Sequence, residues 1–314
     1  MNAFVVGLGI FSLMVWILFN FAFTSNLSGS LLQRQPDLFT VIISLSVITN
    51  ITVVLFFISF FRASATAPGR VPDRPPWNTI SAEDALYNNE AKKSGGRRYC
   101  RYDRKYKPDR CHHCSQCNEC VLRMDHHCPW LDNCVGFWNY KFFLLTLLYA
   151  SLSLLLITVS SGWLGYYVFN HTTRHGLDVS RLAIGIALAC VSGVGSLVIC
   201  MFFSIHVVMV LKGVTTLEVF EKSSGPDDDS CLGAVCCTKR DPRTKEPVHP
   251  VSPYKLPSVV RNIKAAMGEN VILWLIPTMP RMKTGSADGL IFQVNTDLKR
   301  IETSEDSPLI AASS

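Results

Sequence analysis

The sequence predicts an all-α integral membrane protein with four transmembrane helices and a cytosolic cysteine-rich domain between the second and the third. Three observations predict it. Hydrophobic residues make up 48% of the 314-residue chain and the mean hydropathy is +0.24, values that argue against a purely soluble protein. Four apolar runs, residues 3–24, 38–61, 142–168 and 182–211, contain no Lys, Arg, Asp or Glu. Seven of the 12 cysteines fall between Cys100 and Cys134, which concentrates them in one segment.

Each apolar run exceeds the ~20 residues that a helix needs to cross a hydrocarbon core. A large buried core is the weaker account, because soluble helices of this length carry a polar face. The first run is not expected to be a cleavable signal peptide, since no basic segment precedes it and no small-x-small site closes it. Charge sets the topology. Fourteen Lys/Arg lie in residues 62–141 and thirteen after residue 211, against one and two in the short loops 25–37 and 169–181. The positive-inside rule therefore places the two basic segments, and with them both termini, in the cytosol. Two sequons, at Asn26 and Asn170, fall in the loops assigned to the lumen and agree with this topology. The net charge of +6 suits an anionic lipid surface or a phosphate-bearing ligand better than nucleic acid. Cys190 and Cys200 lie inside the fourth run and read as packing residues.

The expected organisation follows in chain order. Residues 1–61 hold helices 1 and 2 with a short lumenal loop, and residues 62–96, rich in Pro, Gly, Asp and Ser, form a cytosolic linker. Residues 97–141 are the cysteine-rich domain, where neither helical nor strand periodicity is visible. Residues 142–211 hold helices 3 and 4. Residues 212–282 are a cytosolic C-terminal region with a short amphipathic helix at 259–267 and an apolar patch at 271–278, too short to span and suited to the membrane surface or the zinc domain. Residues 283–314 are expected to be disordered, and the ending EDSPLI is a weak match to an acidic dileucine signal.

The cysteine-rich segment orders Cys100, Cys111, His112, His113, Cys114, Cys117, Cys120, His126, His127, Cys128 and Cys134. With so little apolar surface to bury, it needs a metal to fold. Tetrahedral zinc takes four thiolate or imidazole ligands, often with one close pair, and the 114/117 and 117/120 pairs both qualify. Two interleaved zinc ions use most of these groups; a disulfide-linked or merely buried cluster is the other account, and a reducing cytosol disfavours it. Asp125-His126-His127-Cys128 then sets a carboxylate, two imidazoles and a thiol side by side. If His127 turns to a metal, His126 can face the thiol and raise its reactive fraction, with Asp125 orienting the imidazole. Spacing alone leaves a second account open, in which Cys128 is a further zinc ligand and Asp125 caps a loop.

Through KPDRCHHCSQCNECVLRMDHHCPWLDNCVGFWNYKFF, residues 107–143, the sequence closely resembles the DHHC family of protein S-acyltransferases, the palmitoyltransferases. TTLE at residues 215–218 resembles the family's TTxE motif, and Asn262, Gly268 and WLIP resemble its C-terminal packing motif, so the resemblance covers roughly residues 3–280. It implies one zinc on Cys100, His113 and Cys120, and another on Cys114, Cys117, His127 and Cys134. It implies Cys128 as nucleophile, His126 as base and Asp125 as its orienting acid, with Thr215, Thr216 and Asn262 in support. Thr215 and Glu218 fit a capping box equally well, and Asn262 a cap or turn. Three departures stand out. Asp103 occupies the place of a family cysteine in the first site, where a carboxylate can bind zinc or Cys111 can be recruited. The family's DPG appears as APG at residues 67–69, and Met267 replaces an aromatic.

The resemblance further implies a long-chain acyl-CoA donor, chiefly palmitoyl-CoA, whose tail lies among the membrane helices, and cysteine-bearing protein substrates at the membrane. Lys107, Arg110 and Arg123 are candidates for the CoA phosphates, with plain positive-inside charge as the alternative. Trp130 is expected at the cavity mouth, and the small Ser151 and Ser153 in helix 3 leave room for it to be deep. The implied location is the endomembrane system, the Golgi foremost, then ER, plasma membrane or endosome. Two other classes compete: a membrane-anchored zinc adaptor without chemistry, favoured by Asp103, and a small transporter, which would need polar residues in the spans such as Asn20, Asn50 and His206. No role is assigned to Cys231, Cys236 and Cys237.

Overall fold

A computed structural model describes residues 3–27, 36–78, 90, 97–172, 179–223, 254–282 and 288–293. The four apolar runs form α1 (Ala3–Leu27), α2 (Pro36–Ala65), α3 (Tyr140–Thr172) and α4 (Val179–Lys212). Each helix outruns its apolar stretch, because terminal N–H and C=O groups left in hydrocarbon would lack partners. Thr40–Ala65, Tyr140–Tyr167 and Leu182–Lys212 are long and apolar enough to cross a membrane; the apolar stretch described in α1 is the shorter Gly9–Phe21.

The chain divides into two compact units. The first comprises Met1–Thr66, Cys128–Asn133 and Lys141–Ser204. Phe19, Ile42, Ile157 and Leu164 form a buried cluster in which α1, α2 and α3 meet. Polar side chains add specificity: Trp16 Nε1 donates to Asn50 Oδ1 at 2.8 Å, and Asn50 Nδ2 to Asn20 Oδ1 at 3.2 Å. The two asparagines that a transporter reading would place on a pathway thus fasten α1 to α2. Thr158 and Ser192 pair their hydroxyls at 2.8 Å between α3 and α4, and a Cβ at Gly185 would lie 3.6 Å from the Ser161 carbonyl oxygen, so small residues let these helices approach. Ser151 and Ser153 are buried. Cys190 and Cys200 are exposed on the outer surface of α4, which corrects their reading as packing residues. They fall among Val191, Val194, Leu197 and Val198, all exposed, and an apolar exterior of this kind suits a lipid surrounding. Asn133 Nδ2 reaches the carbonyls of Ser64 (3.0 Å) and Thr66 (2.9 Å), and so ties the turn after Cys128 to the C-terminal end of α2.

The second unit comprises Ala67–His127, Cys134–Tyr140 and Ile205–Ser314. The cysteine-rich segment is not devoid of strands, as its lack of periodicity suggested. It holds β1 (Tyr99–Cys100), β2 (Lys105–Tyr106), β3 (His112–Cys114), β4 (Glu119–Val121), β5 (His126–Cys128) and β6 (Asn133–Val135), paired consecutively into three two-stranded sheets. Strands of two or three residues are too short for alternation to register in sequence. Val71, Trp77, Cys100, Cys111, Cys120, Leu122, Phe137 and Leu290 form a small core, drawing residues from both flanks of the segment. The APG stretch acts through its backbone: Gly69 O accepts from Leu122 N (3.0 Å) and Pro68 O from Trp138 N (3.1 Å). Gly136 is required where it stands, since a Cβ there would meet Val121 Cγ1 at 2.8 Å and the carbonyl oxygens of Leu122 and Pro68 at 2.9 Å.

Beyond α4 come α5 (Thr216–Ser223), α6 (Val259–Met267) at its expected bounds, and a 3₁₀ turn at Val271–Leu273. Ile272 in that turn is 82% exposed. The linker from 79 onward (apart from Glu90), the loops 28–35 and 173–178, residues 224–253 with Cys231, Cys236 and Cys237, and the EDSPLI ending lie outside the described residues. Within the predicted disordered tail, residues 288–293 are described, with Gly289 and Leu290 buried.

Candidate active site and metal centres

The first two hairpin turns are built alike. Cys100 and Cys114 open them, and three residues later the amides of Asp103 and Cys117 point back at Cys100 Sγ (3.5 Å) and Cys114 Sγ (3.4 Å). The following residues, Arg104 and Asn118, have φ of 53° and 52°. Asp103 therefore holds in the first turn the position that Cys117 holds in the second. The third turn, after Cys128, again carries a residue of positive φ, Asp132 at 52°, but Leu131 stands three residues on from Cys128 and offers no ligand atom.

Two quartets result, Cys114/Cys117/His127/Cys134 and Cys100/Asp103/His113/Cys120, each with its ligand atoms within 4.8 Å of one another. In the first, His127 Nδ1 lies 3.6 Å from Cys114 Sγ, 3.4 Å from Cys117 Sγ and 3.6 Å from Cys134 Sγ, and the Cys117 and Cys134 sulfurs are 3.5 Å apart. Tetrahedral zinc with bonds of about 2.3 Å to sulfur and about 2.0 Å to nitrogen sets its ligands about 3.5–3.8 Å apart. In the second, His113 Nδ1 is 3.2 Å from Asp103 Oδ1 and 3.9 Å from Cys120 Sγ. Asp103 Oδ2 accepts from Cys120 N at 2.5 Å, which leaves Oδ1 to face the quartet. Tyr102 stacks on the His113 ring at 4.8 Å and fixes its plane.

Burial and mutual proximity keep these thiols protonated when no cation lies among them. A hydrogen bond with Cys111 and then burial push Cys120 far above the usual thiol range; burial, then the Cys114 and Cys117 thiols, do the same to Cys134. Thiols packed this closely resist ionising together, and a divalent metal removes that penalty. Both donor sets therefore fit zinc.

The quartets leave Cys111 and Cys128 outside. Cys111 is fully buried in the apolar cluster with Val71, Trp77 and Phe137. Cys128 closes β5, the strand that also carries His126 and His127. Because side chains alternate along a strand, His127 facing its quartet turns His126 the other way. Asp125 precedes this strand and is 1% exposed. Its Oδ2 accepts from His126 Nδ1 and from Thr216 Oγ1, both at 2.7 Å, and its Oδ1 accepts from Thr216 N at 3.0 Å. Burial alone would raise the Asp125 carboxyl; the His126 hydrogen bond, the charges of His126 and His206, and the Thr216 amide outweigh it and hold the carboxyl at about 2.

The TTLE motif has three functions here. Thr215 and Glu218 form a reciprocal capping box, Thr215 N donating to Glu218 Oε2 (3.1 Å) and Glu218 N to Thr215 Oγ1 (3.3 Å). Thr216 holds Asp125. Glu218 also receives Arg110, from Nε at 2.6 Å and Nη2 at 3.1 Å. Asn262 does not touch Asp125; it accepts from Leu256 N (2.9 Å) and donates to Leu211 O (3.2 Å), pinning α6 to the end of α4. Gly213 makes this possible, with φ of 67° and room for no Cβ between Tyr254 O (2.9 Å) and Asn262 Oδ1 (3.1 Å).

Two of the predicted phosphate ligands are spent elsewhere. Arg110 is buried on Glu218 and lies over the Tyr254 ring at 4.6 Å; burial alone would weaken its hold on the proton, and Glu218 more than restores it. Arg123 is buried over the Tyr140 ring at 4.8 Å, and burial, then Arg110, lower its proton affinity. A cation in sequence shows that an anion is wanted, and in Arg110 that anion belongs to the chain itself. Lys107 is half-buried and Trp130 is 54% exposed. Sequence reading passed over Glu218 as a partner of Arg110, and Glu90, which accepts from Arg110 N (3.0 Å) and Tyr254 Oη (2.9 Å). Neither pairing has a signal in local spacing.

Paired Cys/His/Asp quartets able to hold a metal, with a buried Asp–His pair on the third hairpin, define a cysteine-rich hairpin domain that lies in sequence between membrane-length helices. Residues 93–223 match the model of the DHHC palmitoyltransferase family. The chain is similar to the palmitoyltransferase pfa3 of Aspergillus fumigatus, 44% identical over 131 residues, which are 41% of this chain and 24% of the relative. The palmitoyltransferase ZDHHC2 of Rattus norvegicus is 45% identical over 128 residues (40% and 34%), and ZDHHC15 of Xenopus laevis 34% over 227 residues (70% and 55%). The matched part thus spans from about a quarter to just over half of these relatives' own lengths.

Proposed function

We propose that this chain is a protein S-acyltransferase that moves a long-chain acyl group, chiefly palmitoyl, from acyl-CoA through Cys128 to cysteine thiols of membrane-associated proteins. One observation carries the reading: Cys128 stands outside both metal quartets and two residues from an imidazole whose far side is held by a buried, ionised Asp125. His126 takes the Cys128 proton, and the sulfur attacks the thioester carbonyl. The acyl–S bond to CoA breaks, CoA leaves with the proton from His126, and the acyl group remains on Cys128. In the second half the substrate cysteine repeats the sequence, with His126 as its base, and frees Cys128. The zinc ions would be structural, cross-linking hairpins that bury little apolar surface and setting the direction of β5 through His127.

Lys107 is the remaining candidate for a CoA phosphate, and Trp130 lies exposed beside Cys128 in sequence, suited to flank the acyl chain. Four spans, α1 included, with cytosolic termini put the chemistry at the cytosolic membrane face, in an endomembrane such as the Golgi. The acyl tail would lie among the helices, since each buried methylene contributes about 0.8 kcal/mol. The test uses purified full-length protein and labelled palmitoyl-CoA. Hydroxylamine-labile label on the wild type and none on Cys128→Ser is expected; a wild type that holds its zinc and takes no label would make the chain an adaptor instead.

A further inference from the structure

The fourth helix brings a second imidazole to the same carboxylate. His206 is 2% exposed in a run of thirty residues without Lys, Arg, Asp or Glu, and its Nδ1 lies 4.0 Å from Asp125 Oδ2, the oxygen that accepts from His126. Its ring centroid is 5.9 Å from that of His126, and Tyr140 meets it edge-on at 6.3 Å. Asp125 is therefore faced by His126, by Thr216 on two atoms, and by His206. An ionised carboxylate taken out of water needs donors or positive dipoles on every side that water would have occupied. A lone imidazole inside an apolar span is costly to keep unless it serves such a group.

We infer that His206 is a positioning residue for the acyl transfer proposed above: from α4 it flanks the Asp125 carboxylate and keeps Oδ2 aligned on His126 Nδ1. Without it, the carboxylate can turn toward Thr216 alone, and His126 loses the partner that fixes its tautomer. Because His206 acts through Asp125, its effect falls on the rate of acyl-enzyme formation and leaves donor binding unchanged.

The experiment compares His206→Leu and His206→Asn with wild type in detergent, using the full chain. Asparagine restores an N–H near the position of Nδ1, whereas leucine restores volume only. Expected for His206→Leu is a loss of roughly tenfold to a hundredfold in kcat for acyl-enzyme formation, with KM for palmitoyl-CoA and zinc content unchanged, and partial recovery in His206→Asn. Combining His206→Leu with Thr216→Val should cost less than the sum of the two, because both act on one carboxylate. A second readout needs no turnover: ¹⁵N imidazole spectra should show His126 as a single Nδ1–H tautomer in wild type and as a mixture in His206→Leu. An unchanged tautomer, an unchanged rate, or rate and zinc lost together in both variants would overturn the inference. A tautomer change in a chain that takes no label would instead sink the acyl-transfer reading and leave the positioning role standing.

Discussion

Asp103 faces two ways, one oxygen on the Cys120 amide and the other toward His113, and it holds the turn position of Cys117. A carboxylate is a harder and less covalent ligand than a thiolate, so the metal in the Asp103 quartet should leave first. Asp103→Cys is expected to slow metal loss to a chelator at that site, and Asp103→Ala to lower the content from two zinc ions per chain to one; mass spectrometry of the native protein reads both. Two ions retained in the alanine variant would move the fourth ligand to Cys111. Much of this site was legible in residue types, because soft ligands at metal spacing have few other uses. The fate of Arg110 was not, since nothing near it in sequence announces Glu218, 108 residues away. Likewise His206 was visible as a polar residue in a charge-free run, and only folding reveals the carboxylate that it meets.

Among the elements, α5 is fastened to the cysteine-rich segment by its first turn. Arg110–Glu218 is a buried bidentate pair, and removing one partner strands the other, at about 3–5 kcal/mol. Glu218→Gln should thus lower the thermal midpoint of the detergent-solubilised protein sharply, while exchanging both members for apolar residues should restore part of it. Gly136→Ala drives a Cβ against two carbonyl oxygens that belong to the APG stretch and to Leu122, the residue after β4. Overpacking of this kind costs about 1–3 kcal/mol, measurable in the same melting assay. The hairpins themselves could not be read from sequence: strands of two or three residues have no period, and their pairing is dictated by ligands rather than by an apolar face. Helices α1 to α4 were legible because length and the absence of charge suffice to mark them.

At the scale of the whole molecule, a chain with three membrane-length helices and an apolar fourth should remain with membranes through alkaline carbonate extraction and leave them only in detergent. Release by carbonate would contradict the spanning assignment. One further consequence belongs to α4. It bears His206 within its last two turns and leads through the turn at Gly213 to Thr216 at the start of α5, so both groups that meet Asp125 from this side follow the C-terminal end of one rod. Sliding that rod along its axis by one residue's rise, about 1.5 Å, would move His206 relative to Asp125 and pull on the turn that holds Thr216. Bilayer thickness acts on the axial position of such a rod. The proton-accepting pair would then act as a gauge of the membrane around it, and acyl-enzyme formation should peak in bilayers of one thickness and fall in both thinner and thicker ones; a rate indifferent to lipid chain length would refute this.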